Sequence, residues 1–250
     1  MSLAACAELV RRGDPDRFLA VMAAPAHVRA QLFPLYAFNL EVARAPWLTQ
    51  EPLIAEMRLQ WWRDVVENAA SGAARAHEVA GPLHGLIGDF GLPVAVLDGL
   101  IDARRWDIHR EPHDGPEGLF AYLEATGAGL MWLAGRALGA PDTAEGAVRS
   151  YGWASAAAVY IRAVPALAAR GRQPLPEGVG VQDLARHGLA RLAEARKARK
   201  SVPKEVAPAL LAGWQTEALL RQVLAGRTSP ALSEAGRRWG LLWQAFTGRW

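Results

Sequence analysis

Apolar side chains in this sequence recur at steps of three and four residues along most of its length. One stretch that shows the pattern has apolar residues at Val28, Leu32, Leu35, Tyr36, Leu40 and Ala43. This spacing is the period of an α-helix that buries one face. Nowhere do β-branched or aromatic residues alternate with polar ones over the roughly four to eight positions of a strand. The sequence therefore predicts an all-α fold.

Prolines, glycines and capping residues predict where the helices begin and end. Asp14 followed by Pro15 predicts one helix start, and Pro25 and Asp142 predict two others. Glycines and prolines over residues 171–180 predict a loop. The remaining periodicity predicts helices over residues 52–70, 77–90, 93–109, 116–138, 182–200, 204–224 and 229–246.

Length and composition predict a single globular domain over residues 1–250. Hydrophobic residues make up 51% of the chain and charged residues 21%, so the chain can bury a large core. No apolar run is evident over the roughly 18 residues that span a bilayer. The first residues lack the pattern of a secretory signal, so we expect a cytoplasmic protein.

The charges and the single cysteine exclude several classes of function. The formal net charge is +3, which is too small to indicate nucleic-acid binding. With one cysteine, Cys6, the chain cannot form an intramolecular disulfide, and we expect Cys6 to be a small buried residue.

The tryptophans are expected to be core residues, because a buried tryptophan removes a large apolar area from water. Trp250, at the end of the sequence, is predicted to be exposed. The tryptophans that fall in helical patterns are Trp61, Trp62, Trp106, Trp132, Trp153, Trp214, Trp239 and Trp243.

A strongly basic stretch lies over residues 186–204. Its cations stand against one acid, Glu194, and are Arg186, Arg191, Arg196, Lys197, Arg199, Lys200 and Lys204. Such a helix face could meet anionic lipid or an acidic partner. It could also be a solvated helix end that the helix dipole favours.

The segment over residues 162–176 reads R-A-V-P-A-L-A-A-R-G-R-Q-P-L-P. It resembles the R-D-x-x-E-D-x-x-x-G-R-x-Y-L-P motif of the squalene/phytoene synthase family. Arg162, Gly171 and Arg172 match the motif, as does the closing Leu-Pro pair. In the family, the acids of this motif hold the metal ions that activate a prenyl diphosphate. The positions of those acids are occupied here by Ala163, Ala166 and Leu167.

A second segment resembles the entry helices of the same family. The residues from Tyr36 to Phe38 match the start of a Y-A-F-C-R segment, which in the family precedes an x-x-D-D-x-x-D motif. In register, its three aspartates fall on Ala43, Arg44 and Trp47. With softer matches elsewhere, the resemblance covers about residues 16–200. It implies an isoprenoid-synthase-like helical bundle.

The chemistry of the family sets a requirement that this sequence does not meet. Ionising an allylic diphosphate needs Mg²⁺ held between carboxylates and phosphate oxygens. Since both acid sets are absent, we predict no catalytic residue, no metal ligand and no cofactor; Mg²⁺ is expected only if the chain is an enzyme. The pairs Asp64/Glu67 and Asp98/Asp102 are spaced to share a metal, but such pairs beside arginines usually lie on solvated faces.

The residues that survive from the motifs predict a binding site instead. Arginines can hold phosphate by paired hydrogen bonds without a metal, so the predicted ligand is an isoprenoid diphosphate or an anionic lipid. Alternatively, Arg162 and Arg172 fix the loop by capping carbonyls and pairing with acids. The predicted ligand-binding residues are Tyr36, Phe38, Arg44, Arg162, Gly171 and Arg172.

The run over residues 39–44, N-L-E-V-A-R, resembles a divergent branch of the family that lacks the aspartate motifs. That branch includes a mitochondrial factor for the assembly of respiratory complex I. The resemblance implies a non-catalytic assembly or binding factor that has a protein partner and associates peripherally with the inner membrane. A prenyl transferase of the phytoene or squalene synthase type and a non-catalytic isoprenoid lipid carrier are the alternatives. A filled space beside Ala43, Trp47, Ala163 and Leu167 would exclude both.

Overall fold

Residues 3–69, 72–109, 111–228 and 230–250 are described in a computed structural model of the chain. All regular secondary structure in these ranges is helical, which confirms the predicted all-α fold. Short 3₁₀ turns join several of the helices. In chain order the α-helices are α1 (Leu3–Gly13), α2 (Pro15–Ala23), α3 (Arg29–Arg44), α4 (Pro52–Asn68), α5 (Ala80–Phe90), α6 (Val94–Ala103), α7 (Gly115–Leu123), α8 (Gly129–Ala137), α9 (Glu145–Ala169), α10 (Val181–Lys197), α11 (Ala207–Leu210), α12 (Thr216–Leu224) and α13 (Glu234–Thr247).

The 25-residue helix α9 lies at the centre of the bundle, where it packs against α8, α10 and α12. By length and mean hydropathy alone, the stretch Asp142–Ala169 could cross a membrane, which corrects the expectation that no stretch is apolar enough. The central helix of a water-exposed bundle passes the same test, and neighbouring helices bury 39% of the apolar window here.

The start of α2 confirms the predicted capping pair. The Asp14 carboxylate accepts hydrogen bonds from the Arg17 backbone amide at 2.9 Å and from its guanidinium at 2.8 Å. Pro15 occupies the first helical turn, where its lack of an amide hydrogen removes no hydrogen bond of the helix. The cap therefore fixes both the beginning of α2 and the position of the Arg17 side chain.

The helix predicted over residues 116–138 is helical throughout but contains a π-helical segment, Glu124–Ala128, between α7 and α8. Its glycines allow close packing, as predicted. A Cβ atom on Gly127 would lie 2.2 Å from the Ala156 Cβ, and one on Gly152 would lie 2.8 Å from the Met131 Cβ. The helix containing this segment and α9 therefore touch nearly backbone to backbone.

The prediction of a single helix over residues 204–224 is wrong. The chain instead forms the short pieces Lys204–Val206, α11 and Leu211–Gly213 before α12 begins. Gly213 lies against the Tyr151 ring, which a Cβ atom would approach to 2.5 Å, and the Tyr151 hydroxyl donates to the Gly213 carbonyl at 3.0 Å. This contact with α9 bends the segment, and local periodicity does not report it.

The tryptophans divide between the core and the surface. Trp62, Trp132 and Trp153 are buried as predicted. The predictions for the C-terminal region are wrong, because Trp250 is buried whereas Trp239 and Trp243 are exposed. Trp250 is covered by Tyr151 and Arg199, whose ring and guanidinium lie 5.2 Å and 5.1 Å from its ring centre. The predicted burial of Cys6 is confirmed.

The basic stretch over residues 186–204 is not one solvated face. Arg196 pairs with Glu217 at 2.7 Å and donates to the Trp250 carbonyl, while Arg199 donates to the Gly248 carbonyl at 3.1 Å. Part of its charge therefore holds the C-terminal residues in place. Lys197, Lys200 and Lys204 are exposed.

Three of the four acids considered as metal ligands contact arginines. Asp98 accepts from Arg63 at 2.6 Å, and Asp102 accepts from Arg105 at 2.7 Å. The Asp64 carboxylate likewise lies 3.5 Å from a guanidinium nitrogen of Arg75. The expectation that these acids neighbour arginines is confirmed for Asp64, Asp98 and Asp102.

Candidate functional site

An open cavity of about 370 Å³ lies between α3, α9 and the π-helical segment. It occupies the space that the two metal-binding motifs would face. With the exception of Arg44, every residue at a position where the family has a metal-binding acid lines it. We call these residues the neutral wall, which consists of Ala43, Trp47, Ala163, Ala166 and Leu167.

The cavity is also lined by a polar group that we call the paired wall, formed by Arg104, Asp107, Tyr122 and Tyr160. The Arg104 guanidinium donates to the Tyr122 hydroxyl at 2.6 Å and lies 3.3 Å from the Asp107 carboxylate. The Tyr122 hydroxyl donates to the same carboxylate at 3.0 Å. Asp107 is the one acid among the described cavity-lining residues, and these contacts already engage it.

The buried environment keeps the tyrosines of the paired wall protonated. Burial raises the pKa of Tyr122, and the Asp107 carboxylate raises it further while Arg104 opposes the shift. Burial likewise raises the pKa of Tyr160. Both hydroxyls therefore act as hydrogen-bond donors at neutral pH, and neither is poised to serve as a base.

His113 supports the paired wall from behind. Its ring stacks on Trp106 with centroids 3.8 Å apart, and its Nε2 lies 3.0 Å from the Tyr160 hydroxyl. That hydroxyl donates its hydrogen to the Pro174 carbonyl at 2.6 Å, so Nε2 must carry the hydrogen of the His113 contact. Burial, with the charge of Arg172, lowers the pKa of His113 to about 4, which leaves the ring neutral at physiological pH.

Arg172 holds the loop after α9 against the end of the 3₁₀ turn Arg104–Asp107. Its guanidinium donates to the backbone carbonyls of Trp106, Asp107 and His109. It also lies 5.1 Å and 5.2 Å from the ring centres of Trp47 and Trp106. Arg172 therefore caps backbone carbonyls, which is the alternative to ligand binding that the sequence left open for this residue.

Gly171 ends α9 in the left-handed conformation, with φ of +74°. The Arg172 amide donates to the Leu167 carbonyl at 3.2 Å and the Gly171 amide to the Ala168 carbonyl at 2.9 Å, a pattern that closes many helices. The left-handed conformation is therefore sufficient to explain a glycine at this motif position, without a bound ligand.

The other predicted binding residues are placed differently from one another. Tyr36 lines the cavity, its hydroxyl is buried, and burial raises its pKa to about 12. Phe38 is fully buried beside Trp62, with ring centroids 5.4 Å apart. Arg44 is exposed outside the lining. Arg162 also lies outside it and stands 3.6 Å from the Asp16 carboxylate.

Three arginines that sequence reasoning missed line the cavity: Arg17, Arg104 and Arg170. Arg170 lies 4.9 Å from the centre of the Trp47 ring. Helical spacing could have identified it, because it follows Leu167 by three residues and Ala166 by four. Arg17 and Arg104 come from distant segments, so their position depends on the tertiary fold.

The donor set suits an apolar chain with an anionic head better than a metal ion. Leu130, Met131 and Val159 add apolar surface to the neutral wall, and the cations lie around it. Within the described ranges, no group of three or more His, Cys, Asp or Glu side chains is arranged to hold a metal.

Named proteins similar to the chain share one description. "NADH dehydrogenase (ubiquinone) complex I, assembly factor 6" of Bos taurus is 28% identical over 241 residues, covering 87% of this chain and 72% of that protein. The Homo sapiens protein of that name is 27% identical with the same coverage. The Drosophila melanogaster homolog is 30% identical over 195 residues, covering 74% of this chain and 56% of its own.

Solved structures confirm the isoprenoid-synthase-like fold. A squalene synthase from Alicyclobacillus acidocaldarius superposes with a TM-score of 0.77 at 19% identity, covering 92% of this chain and 95% of the other. A dehydrosqualene synthase in complex with a ligand gives 0.79 at 14% identity, covering 98% and 95%. The sequence profile of squalene/phytoene synthases matches residues 10–245.

Proposed function

The chain belongs to the squalene/phytoene synthase family, and we propose that it is a non-catalytic member that acts at a membrane as an assembly factor for respiratory complex I. The named relatives are described as complex I assembly factors, which supports the assembly role. The proposal assigns the chain a protein partner and a peripheral position on the inner membrane.

The neutral wall carries this proposal. Prenyl diphosphate ionisation requires Mg²⁺ between facing carboxylates, because the metal must neutralise the leaving diphosphate. Here the corresponding positions face an open cavity but offer alanine, leucine and tryptophan side chains. Asp107 is bound to Arg104 and Tyr122, so it is a poor replacement ligand.

Incubation of the purified chain with Mg²⁺ and farnesyl or geranylgeranyl diphosphate tests the loss of catalysis. We expect no pyrophosphate release, under conditions in which an active squalene synthase turns over. Sustained pyrophosphate release with formation of a prenyl product would overturn the non-catalytic assignment.

Deletion of the gene in its own organism tests the assembly role. We expect loss of assembled complex I and of its NADH:ubiquinone oxidoreductase activity, both restored by the wild-type chain. Normal complex I in the deletion strain would contradict the proposed role, whatever the outcome of the prenyl transfer assay.

A second candidate function is that of a carrier for an isoprenoid or anionic lipid, and the open cavity favours it. A volume of about 370 Å³ falls within the usual range of small-molecule sites. Saturable binding of a prenyl lipid, abolished by Ala163→Trp and retained by Leu53→Ser, is the expected result, because Leu53 is exposed on α4 and does not line the cavity. Equal binding by both variants would place the lipid elsewhere.

A further inference from the structure

The outer face of α13 is an exposed apolar stripe. The exposed fractions are 70% for Trp239, 62% for Leu242, 54% for Trp243 and 92% for Phe246. At 100° per residue these four side chains fall within an arc of about 100°, so they form one continuous surface. Neither the family resemblance nor the cavity accounts for it.

The helix presents this stripe from a fixed position. On its opposite face Leu241 and Gln244 are buried, and the Gln244 amide donates to the Leu210 carbonyl at 3.1 Å. Ser233 caps the first turn, and Gly248 ends the helix in the left-handed conformation. Because the opposite face is buried and both ends are fixed, α13 holds the stripe on the outside of the protein. A contiguous exposed apolar surface of this kind marks an interaction site.

Arginines border the stripe. Trp243 shares a shallow depression with one acid, Glu217, and with Arg196, Arg199, Arg221 and Arg249. Burial, together with repulsion from Arg196 and Arg249, lowers the pKa of Arg199, as expected where cations are crowded. The surface beside the aromatic side chains therefore attracts anions.

We propose that the outer face of α13 docks the protein on an anionic bilayer surface. Tryptophan, phenylalanine and leucine on one face, with arginines beside them, form the composition of helices that lie in the membrane interface. Trp239 and Phe246 project furthest and would enter the headgroup region, while Arg221 and Arg249 would meet lipid phosphates. This inference rests on the proposed function for the presence of a membrane and adds the surface that contacts it.

Flotation of the purified chain with phosphatidylcholine vesicles, with and without phosphatidylglycerol, tests the proposal. We expect the wild-type chain to float with the anionic vesicles, and W239Q/F246Q to bind about tenfold more weakly or worse. L53Q/M57Q is the matched control, because Leu53 and Met57 are 72% and 65% exposed on α4. It should float like the wild type.

The charge requirement has its own variant. R221Q/R249Q should weaken binding to the anionic vesicles by about fivefold for each arginine and leave binding to neutral vesicles unchanged. Circular dichroism and thermal unfolding should be unchanged in the double variants, since the substituted side chains are exposed. A wild-type chain that does not float, or a W239Q/F246Q chain that floats equally well, would overturn the proposal.

Two other occupants of the stripe give different results. Should light scattering find a wild-type dimer that W239Q/F246Q converts to a monomer, the stripe is a contact between two copies and the membrane proposal fails. In a second case, purified complex I subunits capture the wild-type chain without lipid but do not capture W239Q/F246Q, while both chains float equally well. That result would assign the stripe to a protein partner and overturn the membrane proposal. A chain that rescues the deletion strain but does not float overturns the docking inference alone, whereas one that floats but does not rescue contradicts the proposed function alone.

Discussion

The neutral wall and the paired wall line one cavity and have opposite chemistry. In the paired wall Asp107 contacts both Arg104 and Tyr122 inside the protein. The neutral wall occupies the positions where the family places carboxylates. Facing carboxylates repel one another unless a metal neutralises them, so they destabilise a protein that no longer binds the metal. The difference suggests that buried charge is retained where the protein itself supplies the partner.

The largest effect is expected in the paired wall. Asp107→Ala leaves the Arg104 guanidinium, whose side chain is 16% exposed, without its carboxylate. We expect the free energy of unfolding in urea to fall by about 3–5 kcal/mol, the usual cost of an unpaired buried charge. Ala163→Ser in the neutral wall is the control and should change stability by less than about 1 kcal/mol. Similar losses in both variants would remove the distinction between the walls.

A pH effect of about 3 kcal/mol is expected behind the paired wall. The folded protein holds His113 with a pKa lowered to about 4, against 6.5 for the free side chain. Between these values the unfolded chain binds more protons, so the His113 contribution is present above pH 6.5 and is lost as the pH falls towards 4. His113→Gln should flatten this part of the stability profile, and an unchanged slope would show that His113 does not cause it.

Returning acids to the neutral wall gives the next largest effect. Ala163→Asp/Leu167→Asp places two like charges four residues apart on α9, and we expect a loss of about 1–3 kcal/mol in thermal unfolding without metal. The repulsion raises the carboxyl pKa values in the folded state, so stability should fall as the pH rises through them. Mg²⁺ should restore part of the loss, but not in the matched asparagine variant. Full stability without Mg²⁺ would contradict the proposed reason for the missing acids.

The smallest effect is expected at Arg162, which matches the family motif but lies outside both walls. It stands 3.6 Å from Asp16 with 43% of its side chain exposed. Arg162→Ala should change the free energy of unfolding by about 0–1 kcal/mol, because exposed ion pairs are weak. Binding of a prenyl lipid should also be unchanged, and a clear loss of binding would return Arg162 to the site.

Sequence reasoning reached the architecture and the location of the cavity. Periodicity predicted the helices, and the motif register placed Ala43, Trp47, Ala163 and Leu167 around one space, which they do line. The helices are predictable because the helical repeat is a local property, whereas the shared space of the two segments was implied by the family resemblance. The same register predicted that Arg44 and Arg162 bind a ligand in this space. Neither residue lines the cavity, because their positions on α3 and α9 direct them away from it.

The sequence by itself determined an all-α chain whose two motif segments lack the acids of metal chemistry. The tertiary structure alone decided which polar groups meet, since Arg104, Tyr122 and Tyr160 lie far apart in the chain but line one cavity. It also decided that Trp239 and Trp243 face outward. An apolar helical period shows that a face requires cover, but whether another helix supplies that cover depends on where the rest of the chain packs.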